Sequence, residues 1–180
     1  TGTGKTVLFI EFIKATNAKT LVVVPKKTLL HQTKRRMEQF APETGVGLVY
    51  GDSKDFDQNV TVTTYSSLVR QMKNERLNPD NYGVLILDEA HRSLSDKRQD
   101  TVSKFDGAIR LGFTATPDFS EHKGVSGLLK NEIHTMSIRE AVESGLLCSF
   151  TSLVVKTDID ISGVKTAQGD YDKAELERAV

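Results

Sequence analysis

Two stretches far apart in the chain carry the side chains that chemistry would need: Gly2-Thr3-Gly4-Lys5-Thr6 at the start and Asp88-Glu89-Ala90-His91 at mid-chain. Glycines keep side chains away so that successive backbone N–H groups converge on phosphate oxygens, and a helix opening at Lys5 adds the positive end of its dipole. Lys5 would then reach the outer phosphates of a nucleotide, and Thr6 offers a small hydroxyl of the kind that joins the oxygen shell of Mg2+. Asp88 and Glu89 close an apolar run. One carboxylate suits a hydrated metal, and the other suits the water that attacks the terminal phosphate. Acidic pairs also occur as solvated strand ends, so the pair gains its meaning from the glycine-Lys-Thr loop upstream. His91 is either a surface imidazole or a relay between nucleotide and the rest of the site. Thr114-Ala115-Thr116-Pro117 would hold two hydroxyls at a strand end braced by a proline.

These groups must be brought together by regular elements, and hydrophobic periodicity supplies them. Residues 20–24 form an apolar run ended by Pro25, as do 82–87 ahead of Asp88, and both read as strands covered on two faces. Further strands are expected at 46–50, 60–64, 108–113, 133–136 and 150–155. Helical spacing is expected at 7–16, 26–40, 65–72, 95–105, 138–144 and 171–180, and 51–55 reads as a polar loop. Strands alternating with helices imply an α/β fold, a parallel sheet flanked by helices, whose ligands lie at the carboxyl ends of the strands. The glycine loop, Asp88 and Thr114 to Thr116 all fall at that edge. The full pattern G-x-x-x-x-G-K-[ST] puts its first Gly ahead of residue 1, so the expected fold lacks its first strand.

Composition narrows the classes. The chain has 180 residues, 38% of them hydrophobic and 27% charged, with net charge zero. No apolar run approaches the ~18 residues a membrane span needs, so no membrane partner is expected. Zero net charge gives no global pull toward nucleic acid, which leaves local clusters to make that case. One such cluster is the basic face of 26–36, beginning at a strand's carboxyl end, where Lys26 and Thr28 sit beside a helix N-terminus. Thr63, Thr64 and Tyr65 form a similar hydroxyl-rich strand end, with Tyr65 read as packing rather than stacking. The single Cys148 excludes an internal disulfide and reads as a small core residue, which fits a reducing, cytoplasmic compartment.

In order and spacing the motifs resemble the first motor domain of superfamily two helicases and translocases of the DEAD/DEAH-box class. Residues 1–6 look like motif I, Val24-Pro25-Lys26-Lys27-Thr28-Leu29-Leu30 like motif Ia and Val62-Thr63-Thr64-Tyr65-Ser66-Ser67-Leu68 like the V-T-T-Y-x-S-L segment. Asp88-Glu89-Ala90-His91 looks like motif II, and Gly112-Phe113-Thr114-Ala115-Thr116-Pro117 like motif III. Ser137-Ile138-Arg139-Glu140-Ala141 with Gly145-Leu146-Leu147 is similar to an element of the branch that includes restriction-enzyme motor subunits, type III res subunits among them. The resemblance implies a RecA-like P-loop NTPase domain over 1–156, with 157–180 leading to a second RecA-like domain. It implies ATP and Mg2+ as cofactors and double-stranded DNA as partner. Gly2, Thr3, Gly4, Lys5, Thr6 and His91 would bind nucleotide, Thr6 and Asp88 the metal, and Asp88, Glu89 and Lys5 would carry catalysis. Pro25, Lys26, Thr28, Thr63 and Thr64 would contact nucleic acid, and Thr114, Ala115 and Thr116 would couple hydrolysis to movement. The arginine finger of such motors belongs to the second domain.

Overall fold

In a computed structural model of the chain, the described residues are 4–93, 95–115, 118–120, 123–151, 163–164, 166–167, 170–171 and 177. The expected sites Gly2, Thr3 and Thr116, most of the expected strand 150–155 and most of the expected helix 171–180 lie outside them. Two compact units are present, Thr1–Leu147 and Cys148–Val180. The division falls somewhat earlier than the 156/157 boundary read from the sequence.

The apolar run after Lys19 becomes β1 (Thr20–Val24), and all five of its residues are buried. Alternate side chains leave a strand on opposite faces, so Val22 and Val24 enter one core and Leu21 and Val23 another. The first core is closed by α1 (Lys5–Thr16) through Phe9, Ile10 and Ile13, and by α2 (Lys27–Phe40) through Leu30 and Met37. The second is closed by α3 (Tyr65–Lys73) through Tyr65 and Leu68, and by α4 (Asp96–Ser103) with the following Phe105. Burying an aliphatic side chain of this size is worth about 1.5–3 kcal/mol. Helices thus cover β1 on both faces.

The remaining strands of the sheet are β2 (Val46–Tyr50), β3 (Ser53–Lys54), β4 (Val60–Thr64), β5 (Val84–Asp88) and β6 (Ile109–Phe113). They lie in the order β3-β2-β4-β1-β5-β6. All neighbours are parallel except β3, which turns back on β2 as a short antiparallel return. The register sets Val24 beside Thr64 and Asp88 beside Phe113, so the carboxyl ends form one rim. Beyond the sheet, Asp118–Ser120 (β7) pairs with Lys123–Gly124 (β8), and Ile138–Glu143 forms α5. In α5 the Ser137 hydroxyl accepts from the Glu140 N–H while the Glu140 carboxylate accepts from the Ser137 N–H. In the second unit Thr166–Ala167 pairs antiparallel with Asp170–Tyr171.

Three expectations are corrected. Residues 133–136 form no strand: the stretch is exposed throughout, Ile133 by 83%, and no described residue pairs with it. β-branched composition favours a strand only where a neighbour completes the ladder. The polar loop at 51–55 contains β3, held because the Asp55 N–H and the Ser53 hydroxyl both donate to the Leu48 carbonyl. Cys148, expected in a core, is exposed. Among the described residues no helix is long and apolar enough to cross a membrane.

Candidate active site

Helix α1 begins where the loop predicts, after Gly4. Its φ of 80° is a left-handed conformation that a Cβ disfavours, and it swings the chain into the helix. Lys5 and Thr6 then occupy the first turn, both half-buried, in a helix whose first turn holds no acidic residue to compete for an anion. Lys5 Nζ lies 3.2 Å from Glu89 Oε1, joining residues 84 positions apart.

Strand β5 ends at Asp88, and the chain turns sharply there. Glu89 has a φ of 49°, rare for a residue with a side chain, and its N–H donates to Asp88 Oδ1 at 3.1 Å. The Glu89 carbonyl accepts from the Arg92 N–H, closing the 3-10 turn Ala90–Ser93. This turn presents the Glu89 carboxylate to Lys5 on one side and to His91 on the other, where Nδ1 is 3.6 Å from Glu89 Oε2. His91 Nδ1 is also 3.0 Å from Thr114 Oγ1, directly beyond β6. A continuous polar chain therefore runs Lys5–Glu89–His91–Thr114 across α1, β5 and β6. Lys5, Glu89, His91 and Thr114, chosen from distant segments, are brought together, with Asp88 bonded to Glu89 and Ala115 exposed beside Thr114.

Asp88 is half-buried, and burial raises its pKa above the ordinary 3.8; the Lys5 ammonium opposes that rise and the Glu89 carboxylate adds to it. A cation at Asp88 would favour the ionised form. The donor chemistry fits Mg2+: one hard carboxylate and one hydroxyl, on Asp88 and Thr6, of the sort that leaves other positions to phosphate and water. Among the described residues no group of three or more His, Cys, Asp or Glu could hold a metal by itself. Such a cage is not what a nucleotide-bound Mg2+ requires.

The expected nucleic-acid residues divide. Lys26 and Thr28 are exposed at the start of α2, with Pro25 half-buried beside them. Thr64 is half-buried and its hydroxyl caps α3 by accepting from the Ser67 N–H at 3.2 Å. Thr63 is a correction: it is fully buried and its hydroxyl donates to the Val49 carbonyl at 2.7 Å, so it ties β4 to β2 and faces no ligand. Tyr65 packs, as expected, but its hydroxyl also donates to the Asp88 carbonyl at 3.0 Å. Burial, reinforced by Asp88, pushes its pKa far above the ordinary 10.0 and keeps that proton in place. Sequence reasoning missed this contact, and with it Arg98, whose guanidinium lies 5.5 Å over the Tyr65 ring. The available signal was Arg92 directly after His91 and Arg98 on the face of α4.

A mostly parallel sheet with a glycine-Lys-Thr helix start, an acidic pair on one strand and a threonine on the next defines an ATP-binding helicase motor domain of the RecA-like class. The chain belongs to the type III restriction enzyme res subunit family, whose model matches residues 1–119. It is 32% identical over 123 residues to the DNA 3'-5' translocase XPB2 of Sulfurisphaera tokodaii, covering 68% of this chain and 27% of that protein. It is 24% identical over 185 residues to the type I restriction enzyme EcoAI endonuclease subunit of Escherichia coli, covering 96% of this chain and 23% of that one. The fold is similar to the Hef helicase domain of Pyrococcus furiosus, with a TM-score of 0.62 and 22% identity over 73% of this chain and 32% of that one. The chain thus spans about a quarter of the length of these curated relatives.

Proposed function

We propose that this chain is the ATP-binding half of a cytoplasmic motor that couples ATP hydrolysis to movement along double-stranded DNA. The observation that carries the reading is the polar chain Lys5–Glu89–His91–Thr114, because it joins a phosphate-binding helix start to a base and then to the next strand. Lys5, with the backbone of Gly2, Thr3 and Gly4, holds the outer phosphates. Thr6 and Asp88 hold Mg2+, which when bound neutralises charge on those phosphates. Glu89 orients the attacking water and accepts its proton, and His91 passes the state of Glu89 to Thr114, with Ala115 and Thr116 completing that coupling segment. Pro25, Lys26, Thr28 and Thr64 contact the DNA backbone. Residues 1–156 make up the motor domain and 157–180 lead toward a second RecA-like domain that supplies an arginine to the phosphates. What favours DNA over RNA is the res subunit family and the likeness to a DNA translocase and a restriction subunit.

The test is ATPase activity of the full-length protein with and without duplex DNA. Activity stimulated by duplex DNA and reduced by a factor of about 10² or more in Glu89→Gln is expected. Activity indifferent to DNA overturns the motor reading, and stimulation by duplex RNA in place of DNA overturns the choice of partner.

A further inference from the structure

Away from the nucleotide residues, Pro25, Lys26, Tyr65, Ser66, Arg92 and Arg98 line an open depression on the same rim. They come from the segments that follow β1, β4 and β5, and from α4. Three of the six are cations and none is acidic. Among the described residues, none of these three cations enters an ion pair. Like charges gathered without a carboxylate repel, and the complementary ligand is an anion with several oxygens. Arg98 is held rather than free-swinging: Nη1 donates to the Arg92 carbonyl at 2.7 Å and the guanidinium stacks over Tyr65. Tyr65 is buried, and its hydroxyl holds the Asp88 carbonyl. Two contacts therefore separate an anion in the depression from the peptide that joins Asp88 to Glu89.

We infer that Arg92 and Arg98, together with Lys26, form a phosphate subsite for the DNA backbone, and that Tyr65 is a positioning residue carrying its occupancy to Asp88 and Glu89. This rests on the DNA-motor reading above and adds to it three residues and a route. A phosphate that draws on Arg98 loads the Tyr65 ring. Because the hydroxyl of that ring grips the Asp88 carbonyl, the turn that aims Glu89 responds. DNA dependence of hydrolysis is then a property of this contact as well as of the partner domain.

Binding of a short DNA duplex to the full-length protein, followed as a function of salt, tests the subsite. Arg92→Gln and Arg98→Gln should each weaken binding about fivefold to tenfold and lower the slope of log affinity against log salt by about one. Tyr65→Phe tests the route. It should bind DNA like the wild type, while the ratio of DNA-stimulated to DNA-free ATPase falls about fivefold. A merely structural tyrosine would lower both rates together and leave the ratio alone. Arg98→Lys keeps the charge and loses the planar stack, so its salt slope should hold while its stimulation ratio falls; it serves if Arg98→Gln does not fold. Wild-type affinity and slope in both glutamine variants overturn the subsite, and an unmoved ratio in Tyr65→Phe overturns the route. A wild-type protein that binds no duplex removes the DNA reading itself, a result distinct from either.

Discussion

Glu89 combines a left-handed backbone with a carboxylate shared between Lys5 and His91. Holding a non-glycine residue there costs on the order of 1–3 kcal/mol, a cost that persists where surrounding contacts over-determine it. The Arg92 N–H on its carbonyl and the Asp88 carboxylate on its N–H are those contacts. Asp88 carries a second cost with a definite pH dependence. Its folded-state pKa is raised, chiefly by burial, so the folded protein holds the proton more tightly than the unfolded chain. Stability is therefore lost as pH rises from the ordinary carboxyl value toward the folded one, and stays lost above it. Asp88→Asn keeps the acceptor for the Glu89 N–H and removes that cost. It should melt above the wild type at neutral pH, with the difference closing below pH 3.8; superimposable melts at neutral pH would contradict this. The residues of this centre were legible because a glycine-Lys-Thr loop gives meaning to an acidic pair at the end of an apolar strand, which by itself is common. The burial of Thr63 and the reach of Arg98 to Tyr65 were not, since both depend on which strand and helix lie alongside.

At the scale of elements, strands that read as an apolar run ended by a proline or an acid were placed within about two residues, as β1 and β5 illustrate. Their bounds are set locally, by chain breakers and two-sided burial. Strands that depend on a partner were not legible: β3, which forms against β2, was missed, and 133–136, which form none, were expected. Strand β6 shows how tightly partner contacts are set beside the site. A Cβ built on Gly112 would meet the tip of the Leu129 side chain and stand 3.0 Å from Ala90 Cβ, so β6, the 3-10 turn after Glu89 and the segment at Leu129 pack closely there. Gly112→Ala should cost about 1–3 kcal/mol by overpacking. Gly112→Ala with Leu129→Ala should cost less than the sum of the two alone, read by urea denaturation as a double-mutant cycle. Additive losses would show that the contact is not shared.

The whole sheet is asymmetric in how its two sides end. On the β2 side the short antiparallel β3 occupies the margin. On the β6 side, among the described residues, nothing pairs with the outer margin, and Ile109 is 55% exposed there. An edge strand that carries an exposed isoleucine is adhesive where its N–H and C=O groups are left unpaired, because it can accept an extended segment. For residues 1–180 expressed alone this makes self-association a matter of one strand rather than of general surface character. Ile109→Lys puts a charge on that strand and should lower light scattering at high concentration, while a lysine at exposed Leu8 on α1 should change it little. Equal effects from both would point to ordinary surface hydrophobicity instead. The two margins thus differ: one is covered by β3, and the other, on the strand that leads into Thr114, has no partner among the described residues. A strand laid along β6 would lie beside the segment that we propose couples hydrolysis to movement.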